Sequence, residues 1–234
     1  ITHISRASNV LVMGHRYADF DAFGAMVGIA RLSMFCGIPV NIVTDLQDRN
    51  LAGCRKILGR LKEYTDVLVD TKEALDLVNA NTLLVVVDVN NAALFESAAL
   101  AQNVDNIVII DHHRKTAEFE RSPLISYIEP SASACCELVA EMMEQVLPDG
   151  ILLPAEANLM LAGILLDTKQ FTKNTGSRTF SAAMYLRDRG ASPTEVQKLF
   201  KTNLDDFIRA GSDLVTIHAE STKDAMACFR YLHD

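Results

Sequence analysis

Residues 9–21 read Asn9-Val10-Leu11-Val12-Met13-Gly14-His15-Arg16-Tyr17-Ala18-Asp19-Phe20-Asp21, and the order of residue types in this stretch decides the fold. Asn9 to Met13 is a short apolar run bounded by polar residues, the mark of a buried strand. Gly14 breaks it, and a polar loop carrying His15 and Asp19 follows. From Asp21 the spacing predicts an apolar helix to about Phe35, stopped by Gly37 and Pro39. Gly24 and Gly28 fall on one face of that helix and predict close packing on a sheet. A buried strand, a short loop and a buried helix together make half of a βαβ unit.

Working outward, the same alternation repeats. Val40 to Thr44, Val67 to Val69, Thr82 to Asp88 and Ile107 to Asp111 read as strands, the second of these an edge strand. Leu51 to Lys62, Thr71 to Val78 and Ala92 to Gln102 read as the helices between them. Alternating strands and helices imply an α/β fold: a mostly parallel β-sheet flanked by helices on both faces. After about residue 130 the chain turns helical: Ala134 to Val146, Pro154 to Leu166, Ser177 to Arg189 and Pro193 to Phe200. Ser133 is a candidate cap for the first of these, and Pro154 suits the first turn of the second. Leu204 to Ala210 reads as a further short helix, Leu214 to Ile217 as a strand and Ser221 to Leu232 as a last helix. Thr202 to Asp206 is the best candidate boundary, which divides the chain into a domain over 1–203 and a segment over 204–234.

Composition narrows the function. The 234 residues hold 22 Lys plus Arg against 30 Asp plus Glu, a formal net charge of −8 that disfavours long nucleic acid as a partner. No apolar stretch approaches the ~20 residues of a membrane span, so no membrane contact is expected of this fragment. The N-terminus has no signal-peptide pattern and no initiator Met, and the expectation is a fragment of a longer protein. Cys36, Cys54, Cys135, Cys136 and Cys228 are odd in number and contain no C-x-x-C pair, so they read as reduced, mostly buried thiols.

The acidic residues are concentrated where apolar runs end. His15, Asp19 and Asp21 follow the first strand; Asp88 ends the third core strand; Asp111, His112 and His113 end the fourth; Asp167 ends Gly163-Ile164-Leu165-Leu166. Singly, each has a plain structural reading: a helix cap for Asp88, a surface pair for the histidines, a helix-start acidic pair for Asp19 and Asp21, a polar pocket for Asp167. Jointly they do not, because the carboxyl ends of parallel strands share one rim, where ligands bind. Carboxylates crowded at a dry rim repel and are driven to protonate. Divalent cations relieve that crowding, and a His/Asp set without thiolate suits Mn²⁺, Fe²⁺, Co²⁺ or Mg²⁺. Eight such groups suffice for two ions sharing a carboxylate, and ions ~3.5–4 Å apart are the usual apparatus of phosphate-ester hydrolysis.

Gly14-His15 with Asp19-x-Asp21, then Asp88, then Asp111-His112-His113, then Asp167, resembles the DHH phosphoesterase superfamily over roughly residues 8 to 208. Val12 to Arg16, Leu84 to Asn90, Tyr127 to Pro130 and Thr175 to Phe180 are similar to the DHH domain of bacterial membrane-anchored cyclic-di-AMP phosphodiesterases. The resemblance implies a hydrolase that linearises cyclic-di-AMP to 5′-pApA with two Mn²⁺, the chain being a cytoplasmic fragment of a membrane-anchored protein. It implies one metal held by His15, Asp19 and Asp88 and another by Asp21, Asp88, His112 and Asp167, with Asp88 bridging. Asp111 would orient a histidine, and His113 would face the scissile phosphate. Arg178 is the choice for a phosphate clamp, with a solvated helix-start arginine as its plain alternative. Glu129 and Glu137 are assigned no role. The second, DHHA1-type domain of this branch is expected to be absent or truncated, since Gly211 is the last glycine and no Gly-Gly-His motif follows. Other readings stay open: a short-oligonucleotide or pAp phosphatase, a pyrophosphatase, or a catalytically silent nucleotide-sensing module. A homodimer is also compatible with the sequence.

Overall fold

A computed structural model of the chain describes residues 1–48, 51–115 and 122–201. After a short helix α1 (Thr2–Arg6), β1 (Asn9–Met13) leads into α2 (Phe20–Phe35) and β2 (Val40–Val43). Helix α3 (Ala52–Leu58), β3 (Leu68–Val69), α4 (Thr71–Asp76) and β4 (Thr82–Val87) follow. Then come α5 (Ala98–Asn103), β5 (Asn106–Asp111) and β6 (Ile125–Ile128). The helical half is α6 (Cys135–Val146), α7 (Pro154–Asp167) and α8 (Ser177–Asp188), and residues 193–201 are also helical.

The six strands form one sheet in the order β3-β2-β1-β4-β5-β6, every pair parallel. The α/β reading therefore holds. The chain moves outward from β1 through β2 to β3, then returns to the other side of β1 for β4. That reversal opens a crevice beyond the carboxyl ends of β1 and β4, the general ligand position in open α/β sheets. Alternate residues serve opposite faces, as the pleat demands. Val10, Val12, Val85 and Val87 join the larger core with α2, α6 and α7, while Leu11, Met13, Leu84 and Val86 join a smaller one with Ala74 and Leu100.

Several expectations need correction. Gly24 and Gly28 do not face the sheet. A Cβ at Gly24 would stand 2.7 Å from Cys136 Sγ and from the Leu159 carbonyl, and one at Gly28 2.5 Å from Val139 Cγ1, so the glycines admit α6 and α7. Ser133 does not cap α6, whose N-cap is Ala134. Its N–H and hydroxyl instead donate to Glu137 Oε2, because the carboxylate one turn on reaches back to them. Ala92 to Gln102 is not one helix: Ala92–Leu94 is a 3₁₀ turn, and Ser97 caps a separate α5 by accepting from the Leu100 N–H. The sheet contains β6, an edge strand whose half-exposed residues carry no apolar run to announce it. Pro154 does occupy the first turn of α7. Leu204 to Ala210, Leu214 to Ile217, Ser221 to Leu232 and Cys228 lie outside the described residues, as does any remnant of a second domain.

Candidate metal centre

The loops after β1, β4 and β5 converge at the crevice, and α7 brings Asp167 to it from the helical side. His15 follows β1; its Nδ1 lies 3.0 Å from the Arg16 carbonyl, which leaves Nε2 facing Asp88 Oδ2 at 3.6 Å and Asp19 Oδ1 at 3.9 Å. Asp19 is the N-cap of α2, its Oδ1 accepting from the N–H groups of Asp21 and Ala22. The plain reading of Asp19 as a helix-start residue and the reading as a ligand are thus both compatible with its place. Asp88 does not cap a helix. It adopts a left-handed conformation (φ 61°) that turns the chain out of β4.

His112 Nε2 stands at the centre of a second group, 3.2 Å from Asp88 Oδ1, 3.1 Å from Asp167 Oδ2 and 3.7 Å from Asp21 Oδ2. Asp21 is fully buried, and its two carboxylate oxygens accept the N–H groups of Cys135 and Cys136 at 2.6 and 2.8 Å. The first turn of α6 therefore holds this carboxylate by free backbone donors at a helix N-terminus. Asp111, also fully buried, accepts from the His113 ring at 2.8 Å on Oδ1 and from the Asn90 amide at 2.5 Å on Oδ2. Asn90 also reaches the carbonyls of His113 and Arg114, tying the loop after β4 to the loop after β5.

Three sets of side chains each present ligand atoms within 4.8 Å of one another: His15, Asp19 and Asp88; Asp21, His112 and Asp167; Asp88, His112 and His113. Asp88 belongs to two of them, as does His112. Electrostatics explains why the arrangement suits cations. Burial, then the charges of Asp88 and Asp167, pushes the Asp21 carboxyl well above the usual carboxylate range. Burial and Asp88 push Asp19 the same way. Burial also disfavours charge on His112, but its contacts with Asp167 and Asp88 and the charge of Asp21 win, raising it to about 11. His15 is likewise raised to about 9 against burial by Asp88, the Arg16 carbonyl and Asp19. Asp88 is held below its ordinary value, since His112 and His15 outweigh its burial. Among the described residues, Asp88 Oδ1 and His112 Nε2 are buried without an aligned hydrogen-bond partner. Oxygen and imidazole donors left facing one another in this way fit divalent cations.

A family model described as the DHH family, N-terminal domain, matches residues 9–164, which contain every one of these groups except Asp167. The chain belongs to the DHH family. This DHH chain is 38% identical over 209 residues to the cyclic-di-AMP phosphodiesterase GdpP of Bacillus subtilis, covering 88% of the chain and 32% of that protein. It is 36% identical over 207 residues to the cyclic-di-AMP phosphodiesterase PdeA of Listeria monocytogenes, covering 87% of the chain and 31% of that protein. The DHH chain thus spans about a third of the length of the curated relatives it matches. Among solved structures, an exopolyphosphatase-related protein from Bacteroides fragilis superposes with a TM-score of 0.69 at 18% identity, over 85% of this chain and 57% of that one. A putative family II inorganic pyrophosphatase from Methanococcus jannaschii gives 0.56 at 20% identity, over 84% and 59%. These two likenesses concern the DHH fold.

The site brings together His15, Asp19, Asp21, Asp88, Asp111, His112, His113 and Asp167. Arg178 is placed differently: its guanidinium donates twice to Glu141, at 2.7 Å each, and once to Ser131 Oγ at 3.3 Å. It does not line the cavity of about 430 Å³ above the acidic floor, whose lining includes Arg16, Arg114, Asn90 and Leu94. Sequence reasoning gave no role to Asn90, to the amides of Cys135 and Cys136, or to the cavity arginines. For Asn90 the available signal was its place two residues after Asp88 at the end of a core strand.

Proposed function

We propose that this chain is the phosphodiesterase portion of a longer protein, hydrolysing cyclic-di-AMP to linear 5′-pApA with two divalent cations. The observation that carries the reading is the buried Asp88 carboxylate shared between two ligand sets, with His15 and Asp19 on one side and His112 on the other, next to Asp21 and Asp167. The names of the relatives support cyclic-di-AMP as the substrate. His15, Asp19 and Asp88 would hold one ion, and Asp21, Asp88, His112 and Asp167 the other. Manganese is the first choice, with Mg²⁺, Co²⁺ and Fe²⁺ as alternatives. When bound, such ions would neutralise phosphoryl oxygens and lower the pKa of a bound water.

The chain's own residues supply the rest. The amides of Cys135 and Cys136 hold the Asp21 carboxylate in place at the edge of the site. Asp111 fixes the His113 ring through Nδ1 and raises its affinity for a proton against burial. His113 Nε2 is then the ring nitrogen left to hold a proton toward the substrate, the position from which a leaving alkoxide is protonated. Asn90 holds Asp111 in turn. No helix among the described residues is long and apolar enough to cross a membrane. We place residues 1–203 in one DHH domain belonging to a membrane-anchored bacterial protein, with 204–234 beyond it.

Incubation of the Mn²⁺-loaded chain with cyclic-di-AMP, pAp and pyrophosphate tests the assignment. Conversion of cyclic-di-AMP to pApA is expected, and replacing Asp111 and His112 together by Ala is expected to abolish it. Preferred turnover of pAp or pyrophosphate would overturn the substrate assignment.

A further inference from the structure

We propose that Arg16 and Arg114 form a subsite for the second phosphate of a dinucleotide, flanking the acidic floor from opposite sides. The proposal rests on the phosphodiesterase reading for its ligand class, and on the cavity for its residues. Cyclic-di-AMP and pApA each carry two phosphates. Cations on the acidic floor compensate the one they bind. The other must sit above a rim rich in carboxylates, where its charge needs a counter-charge to be held away from water.

The cavity supplies that counter-charge twice. Its lining includes Arg16, from the loop after β1, and Arg114, from the loop after β5. In the sheet β1 and β5 are the two neighbours of β4, the strand that leads to Asp88, so the loops carrying the two arginines leave the sheet on either side of it. Both arginines are held at the main chain, one by a backbone partner and one by the Asn90 side chain. The Arg16 N–H donates to the Leu94 carbonyl at 2.7 Å, and the Arg114 carbonyl accepts from Asn90 at 3.3 Å. Both guanidinium groups are uncommitted among the described residues: neither makes an ion pair or side-chain hydrogen bond, although Glu96 feels the Arg16 charge. Arg31 and Arg178, by contrast, are committed to Glu156 and Glu141. A guanidinium uncommitted among the described residues, beside a cavity able to hold a nucleotide, is suited to bidentate phosphate contact.

Equilibrium binding of pApA and of AMP to the Mn²⁺-loaded chain tests this. AMP carries one phosphate and pApA two. Wild type should bind pApA the more tightly, and Arg16→Ala and Arg114→Ala should each weaken pApA binding about tenfold while changing AMP binding less than about threefold. Arg→Lys at either position should recover part of the loss, because the charge remains and the fork is lost. Equal losses for both ligands, unchanged pApA binding, or a wild type that does not distinguish pApA from AMP would overturn the subsite. Turnover is read separately. A chain that binds pApA through these arginines yet leaves cyclic-di-AMP intact sinks the catalytic reading and leaves the subsite standing.

Discussion

Gly163 on α7 lies directly against Asp21 on α2: a Cβ at position 163 would stand 2.8 Å from both the Cα and the Oδ1 of Asp21, and 2.7 Å from Cys136 Sγ. The residue that lets the two helices touch is therefore in contact with a candidate ligand. Asp167, one turn further along α7, reaches His112 because of that approach. Helix packing and site geometry are here one feature.

Gly163→Ala should separate α7 from α2. Overpacking of this kind costs roughly 1–3 kcal/mol, and thermal unfolding should register it. Titration calorimetry should show weaker Mn²⁺ binding as well, since Asp167 moves with the helix; a loss of about tenfold corresponds to ~1.4 kcal/mol. A variant that loses stability but keeps its metal affinity would separate the two roles.

Asp88 belongs to two of the three ligand sets, so under the proposed two-ion reading its loss should weaken binding of both ions. Mn²⁺ at about a hundred times its dissociation constant should stabilise the wild-type chain by ~2.7 kcal/mol, reversed by a chelator. Asp88→Asn should show little of this stabilisation. Asp19→Ala should retain part of it, because Asp21, His112 and Asp167 remain, while losing about 1 kcal/mol from the α2 cap. Differential scanning fluorimetry with and without metal reads all three.

Asn90→Ala should destabilise the metal-free chain. It leaves the buried Oδ2 of Asp111 without its amide donor, and unpaired buried groups cost about 1–3 kcal/mol. Urea unfolding measures the loss. The carbonyls of His113 and Arg114 lose the same donor, so proteolysis of the loop after β5 should quicken.

A buried triad ties α2 to α7 at the end remote from the site: Arg31 pairs with Glu156 at 2.7 Å, and the Tyr64 hydroxyl donates to Glu156 Oε1 at 2.5 Å. Burial first, then the Glu156 charge, holds the Tyr64 hydroxyl well above its ordinary pKa. A group whose folded pKa is raised contributes stability that is present below its unfolded value, about 10 for tyrosine. That contribution fades as pH rises toward the folded value. Tyr64→Phe should therefore lose about 1 kcal/mol at neutral pH yet decline less steeply above pH ~10. The buried Cys54 thiol, pushed up to about 12, acts with the same sign in both proteins, so the difference isolates Tyr64.

Much of this molecule was legible in its order of residues. Five of the six strands, the parallel sheet and the rim at which His15, Asp88 and Asp111 gather follow from short-range signals: apolar runs of strand length, breakers after them and helical spacing between them. β6 escaped because an exposed edge strand needs no apolar run. Asp167 was legible as a candidate but not its partners. Its contact with His112 spans 55 residues and depends on how closely α7 approaches α2.

The sequence by itself determined which residue types stand at strand ends, and a parallel sheet turns that one-dimensional order into a shared rim. Only the tertiary structure decided that the amides of α6 would clasp Asp21, that Arg178 would be engaged by Glu141, and that Arg16 and Arg114 would line the cavity. Local patterns record periodicity and chain breaks, which act over a few residues. Which side chain satisfies which charge depends on helix packing across more than a hundred residues, and that is settled by close contacts such as those at Gly24, Gly28 and Gly163.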